Sequence, residues 1–175
     1  MNAFESALAG LLSLPVAKDD RNDPRKYSQY VAIATEVAKL KPPRGVETRE
    51  WRALVEAIGG AETHYLLRVM EGHCKPFECD RGHARSSWQL HKNLYTAPVW
   101  EQLQGFTTIA VQVQTADAMM KRAYYQCERS NPEGDWVRQV VLSFAGKGCK
   151  PDTIVPWRGL DLRINYWNHV RRAMG

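Results

Sequence analysis

Ala57-Ile58-Gly59-Gly60-Ala61-Glu62-Thr63-His64 ends an apolar stretch on a single carboxyl. Upstream of it, Trp51, Leu54, Val55 and Ile58 fall on one face at helical spacing. Glu50 to Glu62 is therefore predicted to be a helix with this stripe inward. Each glycine inside a helix costs up to about 1 kcal/mol relative to Ala. The Gly59-Gly60 pair points either to another element approaching the backbone closely or to a plain helix end. Tyr65 to Met70 is expected to continue helically after a bend.

Outward from this segment the chain reads as mainly α. Asn2 to Leu14 is a first helix, stopped before Pro15, and Lys18 to Arg25 is a charged turn. Lys26 to Leu40 places Tyr30, Ala34, Val37 and Leu40 on one face, and Lys41-Pro42-Pro43-Arg44-Gly45 stops it. Residues 1–45 are read as a helical cap and 46–175 as the core, within one compact domain. Gly72 to Ser87 has no period and is expected to be a loop or a small irregular β lobe. Ala97 to Leu103 is a short helix ended by Gly105. Thr107 is the expected cap of the clearest helix, in which Ile109, Val113, Ala116, Met120, Ala123 and Cys127 recur at steps of four and three. Asp135 is the expected N-cap of Trp136 to Ala145. Lys147 to Pro156 reads as loop. Asp161 to Met174 is a last amphipathic helix, with Ile164, Trp167 and Val170 inward and Arg163, Arg171 and Arg172 outward.

A chain of 175 residues is long enough for one domain with a sizeable core. Its 44% apolar and 25% charged residues are ordinary globular values. The net charge of +5 and pI of 9.1 favour an anionic partner: nucleic acid, membrane surface or cell envelope. No apolar run approaches the roughly 20 residues that span a bilayer. Ala7 to Ala17 resembles a signal core, yet Met1 to Ser6 carries Glu5 and no basic residue, so the segment is read as a folded helix.

The four cysteines, Cys74, Cys79, Cys127 and Cys149, permit two disulfides whose connectivity sequence alone leaves open. Proximity suggests Cys74–Cys79 and Cys127–Cys149, in an oxidising compartment such as the periplasm. Four free thiols in a cytosolic protein are the alternative. A rival grouping is His73, Cys74, Cys79 and His83, which could ligate a structural zinc. It is tighter than the usual spacing, and the expectation is no metal and no cofactor.

A second stretch, Ala84-Arg85-Ser86-Ser87-Trp88-Gln89-Leu90, follows the irregular loop. Together with Glu62-Thr63 it resembles the lysozyme-like superfamily, most closely goose-type lysozymes and soluble lytic transglycosylases. In those proteins Glu-Ser ends an apolar helix and Gly-Ala-x-Gly-Leu-Met-Gln follows a loop. Here Thr63 stands for Ser, Ser86 for Gly and Trp88 for Met. A third family segment, Ala-Tyr-Asn-Ala-Gly-Pro-Gly, has an echo in Ser143-Phe144-Ala145-Gly146-Lys147-Gly148, with Phe144 in place of Tyr. The resemblance covers roughly Trp51 to Cys149. It implies a lysozyme-like α+β domain with a very small or absent β lobe, and cleavage of the β-1,4 link between N-acetylmuramic acid and N-acetylglucosamine.

Glycosidic cleavage needs a carboxyl that can protonate the leaving oxygen, and apolar burial keeps a carboxyl neutral. Glu62, between an apolar helix and Tyr65-Leu66-Leu67, is the expected acid. A second carboxyl usually acts as nucleophile or base. Asp80, in the loop expected to face the cleft, is the first choice, with Glu71 and Glu78 as alternatives. Lytic transglycosylases manage with one Glu and form 1,6-anhydro products; the missing Tyr hydroxyl at Phe144 and the presence of Asp80 favour hydrolysis here, with the transglycosylase as the alternative. The resemblance places Thr63, Arg85, Ser86, Trp88, Gln89 and Phe144 at the substrate, with Arg85 a candidate for peptide-stem carboxylates and Trp88 either stacking on sugar or filling the core. The reading is a monomeric, phage-type endolysin, made in the bacterial cytoplasm without a signal peptide and acting in the periplasm. Its partners are peptidoglycan glycan strands and an anionic outer-membrane surface, not nucleic acid. The reading of another class is a zinc-stapled basic helical binding module.

Overall fold

The computed structural model describes residues 1–150 and 157–175. The described chain is mainly helical with one two-stranded antiparallel sheet. The expected Lys147 to Pro156 loop lies, from residue 151 onward, outside the described residues.

Each helix begins and ends for a local reason. In α1 (Ala3–Ser13) the Asn2 side chain accepts the Glu5 N–H and the Glu5 side chain accepts the Asn2 N–H, a reciprocal capping box. α2 (Arg25–Val37) stops ahead of Pro42-Pro43. α3 (Thr48–Thr63) ends at His64, whose φ of 51° is left-handed. After a short α4 (Leu67–Met70) comes α5 (Cys79–Gly82), a single turn with Cys79, Asp80 and Arg81 all at positive φ. Strands β1 (Ala84–Arg85) and β2 (Leu90–His91) pair Ala84 with His91 and Arg85 with Leu90. α6 (Ala97–Glu101) leads to α7 (Ile109–Ser130), then α8 (Trp136–Phe144) and α9 (Arg158–Ala173).

Asp135 caps α8 as expected, accepting the N–H groups of Val137 and Arg138. The cap expected at Thr107 is displaced. Residues Phe106–Thr108 form a 3-10 turn, and α7 starts at Ile109. The hydroxyl next to the helix is that of Thr108, and it donates backward to the Gln104 carbonyl at 2.7 Å instead of capping α7.

One continuous core joins all the long helices. The α7 stripe of Ile109, Val113, Ala116, Met120, Ala123 and Cys127 is buried throughout. α3 is central, buried from Ala53 through Gly60, and packs on α9. Ala7 and Leu11 of α1 and Tyr30, Ile33 and Ala34 of α2 belong to the same apolar cluster as Trp51 and Val140, so residues 1–45 share the core with the rest. At roughly 25 cal/mol per Å² of apolar surface removed from water, this shared burial is what holds the N-terminal helices to α3 and α9.

The two glycines of α3 mark close approaches. A Cβ on Gly59 would lie 2.5 Å from the Tyr65 hydroxyl oxygen, and one on Gly60 would lie 2.8 Å from Leu14 Cδ1. Between them and Trp51 sits Glu56, wholly buried, with neither carboxyl oxygen hydrogen-bonded among the described residues. Burial pushes its pKa well up, opposed only in part by Arg52. Gly10 of α1 makes the room: a Cβ there would overlap Glu56 Oε2.

Both disulfides join the neighbours that proximity suggests, Cys74–Cys79 and Cys127–Cys149. Cys74 and Cys79 are therefore not thiolates, which removes two of the four ligands of the zinc grouping.

Candidate functional site

The carboxyl at the end of α3 is held by its chain and by the chain's other end. His64 and Tyr65, at φ 51° and 52°, turn the backbone sharply after Glu62. Two strained residues in succession need support, and Lys26 of α2 supplies it. Its buried ammonium donates to the carbonyls of His64 (3.2 Å) and Tyr65, and to Asp20 Oδ2 at 3.1 Å. Asp20 Oδ2 also accepts the Leu67 N–H at 2.9 Å, which starts α4. Burial pulls the Lys26 pKa down and Asp20 opposes that. The Tyr65 hydroxyl returns to donate to the Glu56 carbonyl at 2.8 Å.

The second motif docks on the first through its buried residues. Trp88 is fully buried, and its indole N–H donates to the Val55 carbonyl of α3 at 2.8 Å. The Thr63 hydroxyl donates to the Ser87 carbonyl at 3.1 Å and the Gly59 carbonyl at 3.3 Å. Ser86 is also fully buried, and its hydroxyl accepts the Trp88 N–H at 3.2 Å. Ser86 and Thr63 thus spend their hydroxyls inside the protein. Ser86 lines neither hollow beside Glu62, contrary to the substrate contact expected of it, while Thr63, its hydroxyl bonded inward, still lines the smaller one. Trp88 follows the core-filling alternative.

Glu62 stands between two open hollows. One, of about 500 Å³, is lined by Glu62, Trp88, Gln89, His91, Phe144, Trp157 and Arg163 among others. The other, of about 180 Å³, is lined by Glu62, Thr63, Leu66, Val69, Glu78, Cys79 and Gln89. Glu62 and Gln89 belong to both, so the two motifs meet at the junction. The Gln89 amide donates to the Ser86 carbonyl at 3.1 Å, which holds it there.

The partner of Glu62 is Arg163 of α9, expected on the outer face of the last helix. In the structure its side chain is only 12% exposed. Its Nε donates to Glu62 Oε1 at 2.9 Å, Nη2 donates to the same oxygen, and Nη1 donates to the Gly159 carbonyl at 2.9 Å. The guanidinium also lies 4.7 Å from the centre of the Trp157 ring. A positional signal existed. Leu160, Arg163, Trp167 and Val170 follow the spacing of one inward face, and only the charge of Arg163 argued for placing it outside.

Asp80 does not line either Glu62 hollow. It stands on the left-handed turn of α5, 62% exposed, 3.5 Å from His91 Nδ1. It borders a separate hollow of about 250 Å³ with His83, His91, Lys92 and Asn93, of which His91 and Asn93 also reach the Glu62 side. The expectation that Asp80 faces the cleft fails because α5 winds left-handed and carries the side chain around the rim. Glu78 is the carboxyl that shares a hollow with Glu62. Arg68 binds both its oxygens, and the Lys75 N–H donates to it at 2.8 Å. These bonds hold its pKa at about 2, so it is an anion at working pH. Glu71 is tied to Arg25 at 2.8 Å. Arg85 lies in neither Glu62 hollow; it stacks on Trp100 and donates to that residue's carbonyl at 2.8 Å.

Comparison with family models, curated proteins and solved structures finds no match to the chain. The geometry by itself offers one half-buried carboxyl with an anchored oxygen, Oε1, and a second oxygen without a hydrogen bond among the described residues. Beside it are an amide, aromatic rings and an open groove. No cluster of metal-ligating side chains occurs among the described residues.

Proposed function

We propose that this chain is a peptidoglycan glycosidase of lysozyme-like type, with Glu62 as the general acid that protonates the leaving oxygen of the β-1,4 link between N-acetylmuramic acid and N-acetylglucosamine. The observation that carries the reading is the placement of Glu62 and Gln89 together at the junction of two hollows. These are the residues on which the resemblance to goose-type lysozymes and lytic transglycosylases is most specific. Arg163 holds Oε1 and leaves Oε2 for the substrate; a guanidinium thus stands where the sequence predicted wholly apolar surroundings. Phe144 and Trp157 offer apolar faces to sugar rings. The disulfides suit action in an oxidising compartment such as the periplasm, and the net charge of +5 suits an anionic wall.

One observation favours the transglycosylase variant of this chemistry. Among the described residues, Glu78 is the one other carboxyl lining the Glu62 hollows, and Arg68 occupies it. A single acid, with the substrate's own acetamido group as internal nucleophile, then suffices, and the product is a 1,6-anhydro sugar.

The test is lysis of chloroform-treated Gram-negative cells. Wild type clears the suspension. Glu62→Gln keeps the fold and loses about 10²- to 10⁴-fold in rate, the worth of general acid catalysis. Activity of Glu62→Gln within a few-fold of wild type would remove Glu62 from the mechanism.

A further inference from the structure

The Gln89 amide has two acceptors, and one of them is a disulfide sulfur. Its Nε2 donates to the Ser86 carbonyl at 3.1 Å and to Cys79 Sγ at 3.6 Å. Sulfur is a weak acceptor, so this contact steers the amide only while the sulfur is held still. Cys79 and Gln89 both line the smaller hollow beside Glu62. The Cys74–Cys79 bond therefore reaches the site directly, whereas neither Cys127 nor Cys149 lines a Glu62 hollow.

What holds Cys79 is local. Val69, Cys79 and Ala84 form a small apolar cluster apart from the main core, with Leu66 and Cys74 packed against it. Cys79, Asp80 and Arg81 follow one another at φ of 52°, 46° and 54°, a run that L-residues avoid. Two ties hold this turn against the strain. Arg68 binds both carboxylate oxygens of the preceding Glu78. The disulfide joins Cys79 to Cys74, and just before Cys74 the N–H groups of Gly72 and His73 donate to the Val69 and Arg68 carbonyls of α4 at 3.1 and 2.7 Å. α4 itself starts on the buried Asp20 carboxylate. A line of contacts thus runs from Asp20 through α4, Cys74 and Cys79 to the Gln89 amide, and the S–S bond is its covalent link.

We propose that the Cys74–Cys79 disulfide is a redox-sensitive brace of the Glu62–Gln89 junction, with Cys79 as a positioning residue for Gln89. This rests on the glycosidase reading and adds a condition to it: full activity needs the oxidised pair. In oxidation the two thiols pass two electrons to a disulfide donor of the surroundings, small-molecule or protein. The Cys74–Cys79 bond forms, and the donor leaves as two thiols. A dithiol reductant reverses the step. With the bond broken, the loop between the cysteines gains freedom, the left-handed run relaxes, and the Gln89 amide loses one of its two fixed acceptors. The main core keeps its helices, because the small cluster is not part of it. The larger Glu62 hollow keeps its walls, because residues 74–79 contribute none of its lining.

The Cys127→Ser/Cys149→Ser variant retains one disulfide, so dithiothreitol acts on Cys74–Cys79 alone. A second variant, Cys74→Ser/Cys79→Ser, makes the same break without reductant and carries the test if the first does not fold. Peptidoglycan cleavage and amide hydrogen exchange are measured on the intact chain. Loss of the bond should lower kcat at least about tenfold with KM within about twofold, since the larger hollow still holds the glycan. Reoxidation with glutathione disulfide should restore the rate. Exchange should quicken at residues 74–85 and at Gln89, while α3 and α7 stay protected. Unchanged kcat in the reduced chain or in the Ser pair would overturn the proposal and leave the Arg68–Glu78 contact as the sufficient tie. So would a loss accompanied by faster exchange throughout α3 and α7, which would make the disulfide a staple of the whole fold. A protein that cleaves nothing in either state, yet shows the local and reversible change in exchange at Gln89, would sink the glycosidase reading and leave the brace. Cleavage indifferent to the redox state would do the reverse.

Discussion

Arg163 and Glu62, 101 residues apart in the chain, meet through two N–H groups of the guanidinium on one carboxylate oxygen, Oε1. The contact ties the end of α3 to the start of α9 and fixes the direction in which Oε2 points. Arg163 is thus a positioning residue for the proposed acid. Arg163→Met should lower kcat by about tenfold or more with KM little changed, because a misplaced acid loses transition-state contact and not ground-state binding. It should also move the alkaline limb of the pH–rate profile, where a general acid loses its proton, while Arg163→Lys recovers part of the rate. An unchanged pH profile alongside a lower melting temperature would mean that the pair is only a brace.

The products decide how many carboxyls the reaction uses. With Asp80 on the rim and Glu78 tied to Arg68, digestion should release muropeptides lighter by one water whose ends borohydride leaves unchanged. Asp80→Asn should then cost less than a few-fold in rate. Reducible muramic acid ends, with a loss of at least about tenfold in Asp80→Asn and an unchanged melting temperature, would instead establish a hydrolase that uses Asp80.

Glu56 should make stability fall as pH rises. Its folded pKa is raised by burial, so above the unfolded value near 4.5 the folded state keeps a proton that the unfolded state has released. The slope is about 1.4 kcal/mol of lost stability per pH unit, up to the folded pKa. Nearby Arg52 favours the anion, and the Tyr65 hydroxyl meets the Glu56 carbonyl, not its carboxyl. Glu56→Met replaces the carboxyl by an apolar chain of similar length. It should gain more at pH 8 than at pH 5 in urea unfolding. Parallel wild-type and variant curves across that range would show that Glu56 is not the source.

Lys26 supports the turn that follows Glu62. Removing it in Lys26→Met leaves Asp20 buried without its cation and the carbonyls of His64 and Tyr65 without their donor. Loss of one partner of a buried pair costs about 3–5 kcal/mol. The variant should therefore melt well below wild type. At temperatures where it stays folded its activity should also fall, since the turn orients Glu62. A loss under about 1 kcal/mol would mean that the turn is held by the Tyr65 and Trp88 packing alone.

Much of this molecule is local in origin and was legible in the chain. The stripe from Ile109 to Cys127, the Asp135 cap and the stop at Pro42-Pro43 follow from helical period, capping chemistry and the missing proline N–H. The Cys pairs are close in sequence, and proximity named them. The Gly59-Gly60 pair left a close approach and a plain helix end equally open, and the packing of Tyr65 and Leu14 decided for the approach. What the sequence could not decide were contacts whose partners are far apart or whose backbone runs against the usual hand. Arg163 looked like a solvated helix charge until α9 packed on α3 and turned it toward Glu62. Asp80 looked like a cleft residue until a left-handed turn carried it to the rim. The resemblance placed Ser86 and Thr63 at the substrate, yet the docking of Trp88 under α3 buried them and gave each an internal partner. Period and capping act within a few residues; which charge meets which carboxyl depends on how whole helices pack.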